Sequence, residues 1–251
     1  MSKQAEATKY RVQSAARTMD VLIAVAGADN AGISSVAISD QIGLPRQVVY
    51  HLVHTLVEMG GLRKVGRGMY ILGPKIASIA QGFGRQVVGS DMLLSFAEQA
   101  ASATGETAYV VGWIDDEIVV LATARGAGML QAVEIPKGTA GDAHARASGK
   151  LLLAMTSDSD IDRYLDQHPL TKRTPNTKTS RTELARELAN VRAHWVSRER
   201  EEYELGLSCV AIPLGKVPST LVLGISAPTQ RLEQRFDEQL SSLRVVADTF
   251  N

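Results

Sequence analysis

A single cysteine, Cys209, stands among the 251 residues, so no internal disulfide forms. No CxxC pair is present to hold zinc or to run thiol redox chemistry. This usage points to a reducing compartment. Long apolar runs are also missing. The strongest, 21–26 and 151–154, fall far short of the ~20 residues that a bilayer helix needs. The first six residues, Met1 to Glu6, are polar and lack a signal-peptide core. These absences lead to the expectation of a soluble, cytoplasmic chain that does not meet a membrane. Glycine and proline, at 21 and 8 residues, are at ordinary levels, which excludes a collagen-like repeat. A hydrophobic share of 45% excludes an intrinsically disordered chain.

Net charge is absent as well, with 27 basic and 27 acidic side chains, yet the balance is uneven along the chain. Residues 1–80 hold nine Lys or Arg against five Asp or Glu, so the remainder is net acidic. Two modules with different partners are expected from this division.

The first module reads as a winged helix. Ser14 is placed to cap a helix whose apolar positions Met19, Leu22, Ile23 and Ala26 follow the helical period. Ser34 caps a short second helix that buries Ile38 and Ile42, and Gly43 falls where a left-handed residue ends it. Pro45 then suits the first position of a third helix, running to about Met59 with Val49, Leu52, Val53 and Leu56 inward. Helix, glycine turn, helix is the form of a helix-turn-helix. Arg46, Gln47, Tyr50, His51 and His54 lie on the other faces of the third helix, where a recognition helix meets base edges. A hairpin with the basic tip Gly66-Arg67-Gly68 follows, placing Arg67 to reach a phosphate or the minor groove. His51 and His54 stand without a Cys, Asp or Glu beside them in the motif, which argues against a metal site.

Three stretches resemble the DNA-binding domain of IclR-type transcriptional regulators: Val12 to Arg17, Ile42-Gly43-Leu44-Pro45-Arg46-Gln47-Val48-Val49-Tyr50-His51-Leu52, and Gly68 to Gly73. The resemblance continues through His144-Ala145-Arg146-Ala147-Ser148-Gly149-Lys150, Glu204 to Cys209 and Ile225-Ser226-Ala227-Pro228, covering about residues 11–250. Val48 departs from a small hydroxyl residue common in the family, and Tyr50-His51 from a His-Arg pair. The operator sequence therefore does not carry over from relatives.

After Pro74 the stretch Lys75 to Gln86 reads as a helix interrupted by Gly82 and Gly84; the resemblance makes it the linker between domains, and the two glycines the expected hinge. A helix from Asp91 follows, then strands near 106–113, 117–124 and 129–135. Helices near 145–155, 158–167 and 181–195 precede strands near 208–214 and 220–226, and a helix follows Thr229. Strands in hairpins with helices in blocks indicate an α+β fold on an antiparallel sheet, and no strand carries a glycine-rich nucleotide fingerprint. The domain expectation is a tail at 1–10, a winged helix-turn-helix at 11–73, a linker helix at 74–90, and an effector-binding and oligomerisation domain at 91–251.

The resemblance implies that this last domain is GAF/PAS-like and senses a small molecule. Backbone N–H groups of Ala147 and Ser148, at a helix start, suit an anionic end of the ligand. Glu199, Cys209 and Ser226 match polar lining positions, and Leu130, Val133 and Leu207 apolar ones. Gly224 departs from a frequent serine, removing a hydroxyl and opening space for a ligand larger than a two- or three-carbon acid. His144, Cys209 and the run Glu199 to Glu202 hold parts for catalysis but no nucleophile–base–orienter signature, and the carboxylate run reads as a solvated turn. The reading is a DNA-binding transcriptional regulator, by family habit a repressor. Its effector is a small carboxylic acid such as a hydroxybenzoate, its partners are operator DNA and itself, as homodimer or dimer of dimers, and it uses no cofactor and no metal. The alternative is a winged-helix protein whose second domain only mediates assembly.

Overall fold

Ser34 shows most directly how the sequence sets the first unit. Its hydroxyl accepts the N–H of Ala37 at 3.1 Å and so caps the helix that follows. The computed structural model describes residues 12–86, 90–114, 116–127 and 141–250, and the chain divides into two compact units, 1–86 and 87–251.

In the N-terminal unit, α1 (Gln13–Ala26) is followed by a two-residue strand β1 (Ile33–Ser34), α2 (Ser35–Ile42) and α3 (Arg46–Glu58). Gly43 takes the left-handed conformation at φ +66°, and nothing crowds its missing side chain, so the turn needs glycine for its backbone alone. The Ser39 hydroxyl donates to the Leu44 carbonyl at 2.6 Å and closes the same turn. Pro45 precedes α3 rather than opening it, and its carbonyl accepts the N–H of Val49. Strands β2 (Leu62–Val65) and β3 (Met69–Leu72) form the wing hairpin, and β1 adds to it in the order β1-β3-β2. Val21, Ala24, Val25, Ile38, Val49, Val53, Leu56 and Leu62 make the core.

Three expectations change here. Ser14 does not cap α1; it lies inside the first turn, where its carbonyl accepts the Thr18 hydroxyl. Met19, Ile23 and Ala26 are exposed, and Val21, Ala24 and Val25 are buried instead. α1 is apolar on two sides, so periodicity alone selects the wrong one. α4 (Pro74–Gln86) runs unbroken through Gly82 and Gly84, because a helix tolerates glycine at about 1 kcal/mol each.

The C-terminal unit begins with α5 (Ser90–Thr104) and the hairpin β4 (Thr107–Ile114) and β5 (Glu117–Ala124). The expected strand near 129–135, with Leu130 and Val133, lies outside the described residues. A short 3-10 turn, Ala143–Ala145, leads into α6 (Ala147–Ala154), then α7 (Asp158–Gln167) and α8 (Arg181–His194). Strands β6 (Ser197–Arg200), β7 (Leu207–Pro213) and β8 (Leu221–Pro228) precede α9 (Thr229–Gln234) and α10 (Phe236–Ala247). The five strands form one antiparallel sheet in the order β5-β4-β8-β7-β6. β6 escapes sequence reading because its four residues, Ser-Arg-Glu-Arg, carry no apolar side chain.

Both faces of the sheet are covered. Side chains alternate along each strand, so Val110, Ile212, Leu223 and Ile225 meet α5 and α10, while Tyr109, Cys209, Ala211 and Val222 meet α6 and α8. Every residue of α6 is buried. No described helix is long and apolar enough to cross a membrane.

Gly149 lets α6 approach the turn before it. A Cβ there would lie 2.4 Å from the Cα and the carbonyl oxygen of Ala143. Gly149→Ala should therefore destabilise the chain by about 1–3 kcal/mol, although helix propensity alone favours alanine by about 1. A urea midpoint that falls at unchanged slope is the expected result; a midpoint that rises contradicts the packing.

Candidate functional site

Five of the six residues expected to meet DNA share one exposed side of α3. Arg46, Gln47, Tyr50, His51 and His54 face outward, while Val49, Val53 and Leu56 anchor the opposite side in the core. The first turn of α3 holds no acidic residue, which leaves the Arg46 guanidinium uncountered there. Tyr50 packs edge-on against His51 at 5.9 Å and tilted against His54 at 6.2 Å. Glu58 lies 3.6 Å from Nδ1 of His54, so a carboxylate does stand beside this histidine, contrary to the sequence reading. Among the described residues no group of three or more His, Cys, Asp or Glu is arranged to hold a metal. Arg67 is exposed at the wing tip between two glycines at positive φ.

In the C-terminal unit the sheet register assembles a polar row. Glu199 pairs with Cys209, Cys209 with Ser226, and Ser226 with Thr107, across β6, β7, β8 and β4. The Cys209 Sγ and Ser226 Oγ are 3.2 Å apart. Leu207 begins β7 on the same side, half-buried. Ala147 and Ser148 open α6, both buried, and no side chain caps this helix. Its first N–H groups, at Ala147, Ser148 and Gly149, have no partner within the helix.

The neighbouring row holds Ala211, Gly224 and Tyr109. Here the structure overturns an expectation. Gly224 does not open space for a ligand, because the Tyr109 ring occupies it: a Cβ at 224 would come within 2.5 Å of that ring. Tyr109 is buried, and burial pushes its phenol well above the ordinary value, reinforced by Cys209 and Glu199 and opposed by Arg146. Sequence reasoning missed Tyr109, since an aromatic in an apolar strand reads as plain core.

Glu199 is 1% exposed, not part of a solvated turn. Its Oε2 accepts the N–H of Glu202 at 2.9 Å and of Tyr203 at 3.4 Å, while Oε1 has no hydrogen-bond partner among the described residues. Burial lifts the carboxyl from 4.5 to about 7, against the pull of the Glu202 N–H and the Cys209 thiol. Glu202 is buried too, held by Lys150 at 2.8 Å and Lys178 at 3.0 Å, and Lys150, fully buried, also reaches Glu187 at 3.1 Å. Burial drives the Cys209 thiol upward, and His144 Nε2 donates to the Thr171 carbonyl at 3.0 Å. Neither side chain is arranged as half of a thiolate–imidazole pair.

The raised carboxyl makes stability depend on pH. The folded state holds the Glu199 proton more tightly than the unfolded chain, so its contribution is fully present below 4.5 and is lost as pH rises through about 7. The loss amounts to about 3 kcal/mol. Denaturant unfolding of the native chain and Glu199→Gln at pH 5 and pH 8 should show the variant gaining relative stability at the higher pH. A gap that does not move with pH contradicts the assignment.

Comparison with known proteins gives the geometry a family. Residues 14–66 match the IclR helix-turn-helix domain, and residues 91–250 match the C-terminal domain of bacterial IclR transcriptional regulators. The HTH-type transcriptional regulator XynR of Escherichia coli is 29% identical over 214 residues, covering 82% of this chain and 82% of the relative. The DNA-binding transcriptional repressor YiaJ of Escherichia coli is 29% identical over 215 residues, covering 81% and 74%. A solved IclR homologue from Microbacterium hydrocarbonoxydans, in complex with 4-hydroxybenzoate, shares the fold at a TM-score of 0.68 and 20% identity, covering 94% of this chain and 98% of that one. With a helix-turn-helix unit, a mixed α and antiparallel-β second unit and family matches in both, the chain belongs to the IclR family of DNA-binding transcriptional regulators.

Proposed function

We propose that this regulator is a repressor released or engaged by a small carboxylic acid, of which an aromatic acid such as a hydroxybenzoate is the favoured class. The observation that carries the acid is the uncapped start of α6 in the unit that holds the buried polar row. In this reading the N–H groups of Ala147 and Ser148 hold the carboxylate, as a helix N-terminus favours. Glu199, Cys209 and Ser226 meet a hydroxyl at the far end, and Leu207, with Leu130 and Val133 from outside the described residues, enclose the apolar body. With Gly224 filled by Tyr109, the case for an aromatic ligand no longer rests on volume. It rests on the 4-hydroxybenzoate held by the solved homologue. The name of YiaJ supports repression.

On the DNA side, α3 enters the major groove with Arg46, Gln47, Tyr50, His51 and His54 towards the bases, and Arg67 reaches the backbone or minor groove. One such helix reads too few base pairs for specific binding, which supports a homodimer or dimer of dimers on the operator.

Arg46→Ala should weaken binding to an operator selected from a randomised DNA pool by about 1–3 kcal/mol. If Arg46 clamps phosphate instead, the loss should be equal on random DNA, with a shallower salt slope. Fluorescence anisotropy reads both, and unchanged affinity on both DNAs refutes the orientation of α3. For the ligand, an acid at 100 times its dissociation constant should add about 2.7 kcal/mol of stability. A thermal-shift panel should rank hydroxybenzoates above pyruvate and glyoxylate, and the best acid should change operator affinity. Failure of every acid to do so favours a second domain that only mediates assembly.

A further inference from the structure

Among the described residues of the C-terminal unit, the Arg146 guanidinium meets no carboxylate. Arg146 stands immediately before α6, where capping side chains are ordinarily Ser, Thr, Asp or Asn. A cation there opposes the helix dipole, and the Arg146 side chain makes no capping bond. Its guanidinium carbon lies 3.8 Å from the centre of the Tyr203 ring, over its face. Its Nε is buried and meets no hydrogen-bond acceptor among the described residues.

The nearby carboxylates are committed elsewhere. Asp142 faces Arg173 at 3.7 Å, and Arg173 itself lies 4.6 Å from the same Tyr203 ring. Glu202 is held by Lys150 and Lys178, and Glu187 by Lys150. Glu199 spends one oxygen on the N–H groups of Glu202 and Tyr203, and its burial favours the neutral form. Its other oxygen, near the Cys209 thiol, has no hydrogen-bond partner among the described residues. Arg146 is half-buried with its Nε fully so, and a buried donor without an acceptor is costly. That donor and the free N–H groups of α6 are met by one anion.

We propose that the missing counter-ion of Arg146 is the acid group of the ligand, which makes Arg146 the residue that demands an ionised, planar carboxylate over its neutral isosteres. The proposal rests on the reading that this unit binds a small acid, and it adds a side chain to the backbone donors of Ala147 and Ser148. A guanidinium seated over an aromatic ring can still present Nε and a terminal nitrogen as a fork that matches the two oxygens of a carboxylate.

The test compares 4-hydroxybenzoate, benzoate, pyruvate and succinate, each beside its amide, by calorimetric titration of the full chain at pH 7. The native chain should prefer the best acid over its amide by about 10- to 100-fold. Arg146→Gln should remove most of that preference with little change for the amide, and should melt no lower than the native chain without ligand. Arg146→Lys, with charge but no fork, should fall between. An Arg146→Gln variant that keeps the native acid-to-amide ratio overturns the proposal while leaving the small-acid reading intact. If that variant also melts lower without ligand, the arginine serves only to pack on Tyr203. If no acid binds the native chain, the small-acid reading falls, and the proposal falls with it.

Discussion

Glu199 enters the interior of the C-terminal unit as a carboxyl with one oxygen bonded and one without a hydrogen-bond partner among the described residues, and the elements around it are tied to that constraint. Burying a charged group without full pairing is expensive, so its proton affinity rises to about 7. The oxygen that is bonded depends on the N–H groups of Glu202 and Tyr203. Those stay in place because Lys150, reaching from α6, and Lys178 hold the Glu202 carboxylate. The Thr174 and Thr177 hydroxyls donate to backbone carbonyls of the same turn. A single buried ion-pair cluster therefore ties α6, α8 and the turn after β6 to the orientation of one carboxyl.

The same economy of space governs the sheet. Gly149 brings α6 down onto the 3-10 turn, and Gly224 leaves room for the Tyr109 ring against β8. Tyr109 then places a phenol beside Cys209, between groups of opposite electrostatic effect, Glu199 and Arg146. In the function proposed above, a ligand would meet a phenol, a thiol, a hydroxyl and a carboxyl, with donors concentrated at the start of α6, and that unequal distribution would discriminate acids from neutral molecules. Coupling to DNA follows only if the acid favours one state of the chain over another.

Much of the first unit was legible because local chemistry decides it. The Ser34 cap, the left-handed Gly43 and the outward set on α3 are each fixed by a few neighbouring residues. Ser14 and the apolar side of α1 were not, since a helix with two apolar sides is resolved only by what packs on it. The polar row Glu199, Cys209 and Ser226 came from resemblance, and the cross-strand register aligns it. Gly224 shows where that inference stops: removing a side chain opens space only if no neighbour moves in, and Tyr109 lies far away in sequence. Arg146 and Lys150 were quoted within a motif, but their roles depend on Tyr203, Glu187 and Glu202, which no local pattern connects to them.

In the function proposed above, an acid completes the start of α6. Amide chemical shifts of isotopically labelled protein, followed during titration with 4-hydroxybenzoate or the acid that binds best, test it most directly. The largest changes are expected at Ala147, Ser148 and Gly149, with Glu199 and Tyr109 responding alongside. Changes that leave those three amides untouched while perturbing another part of the chain would contradict it.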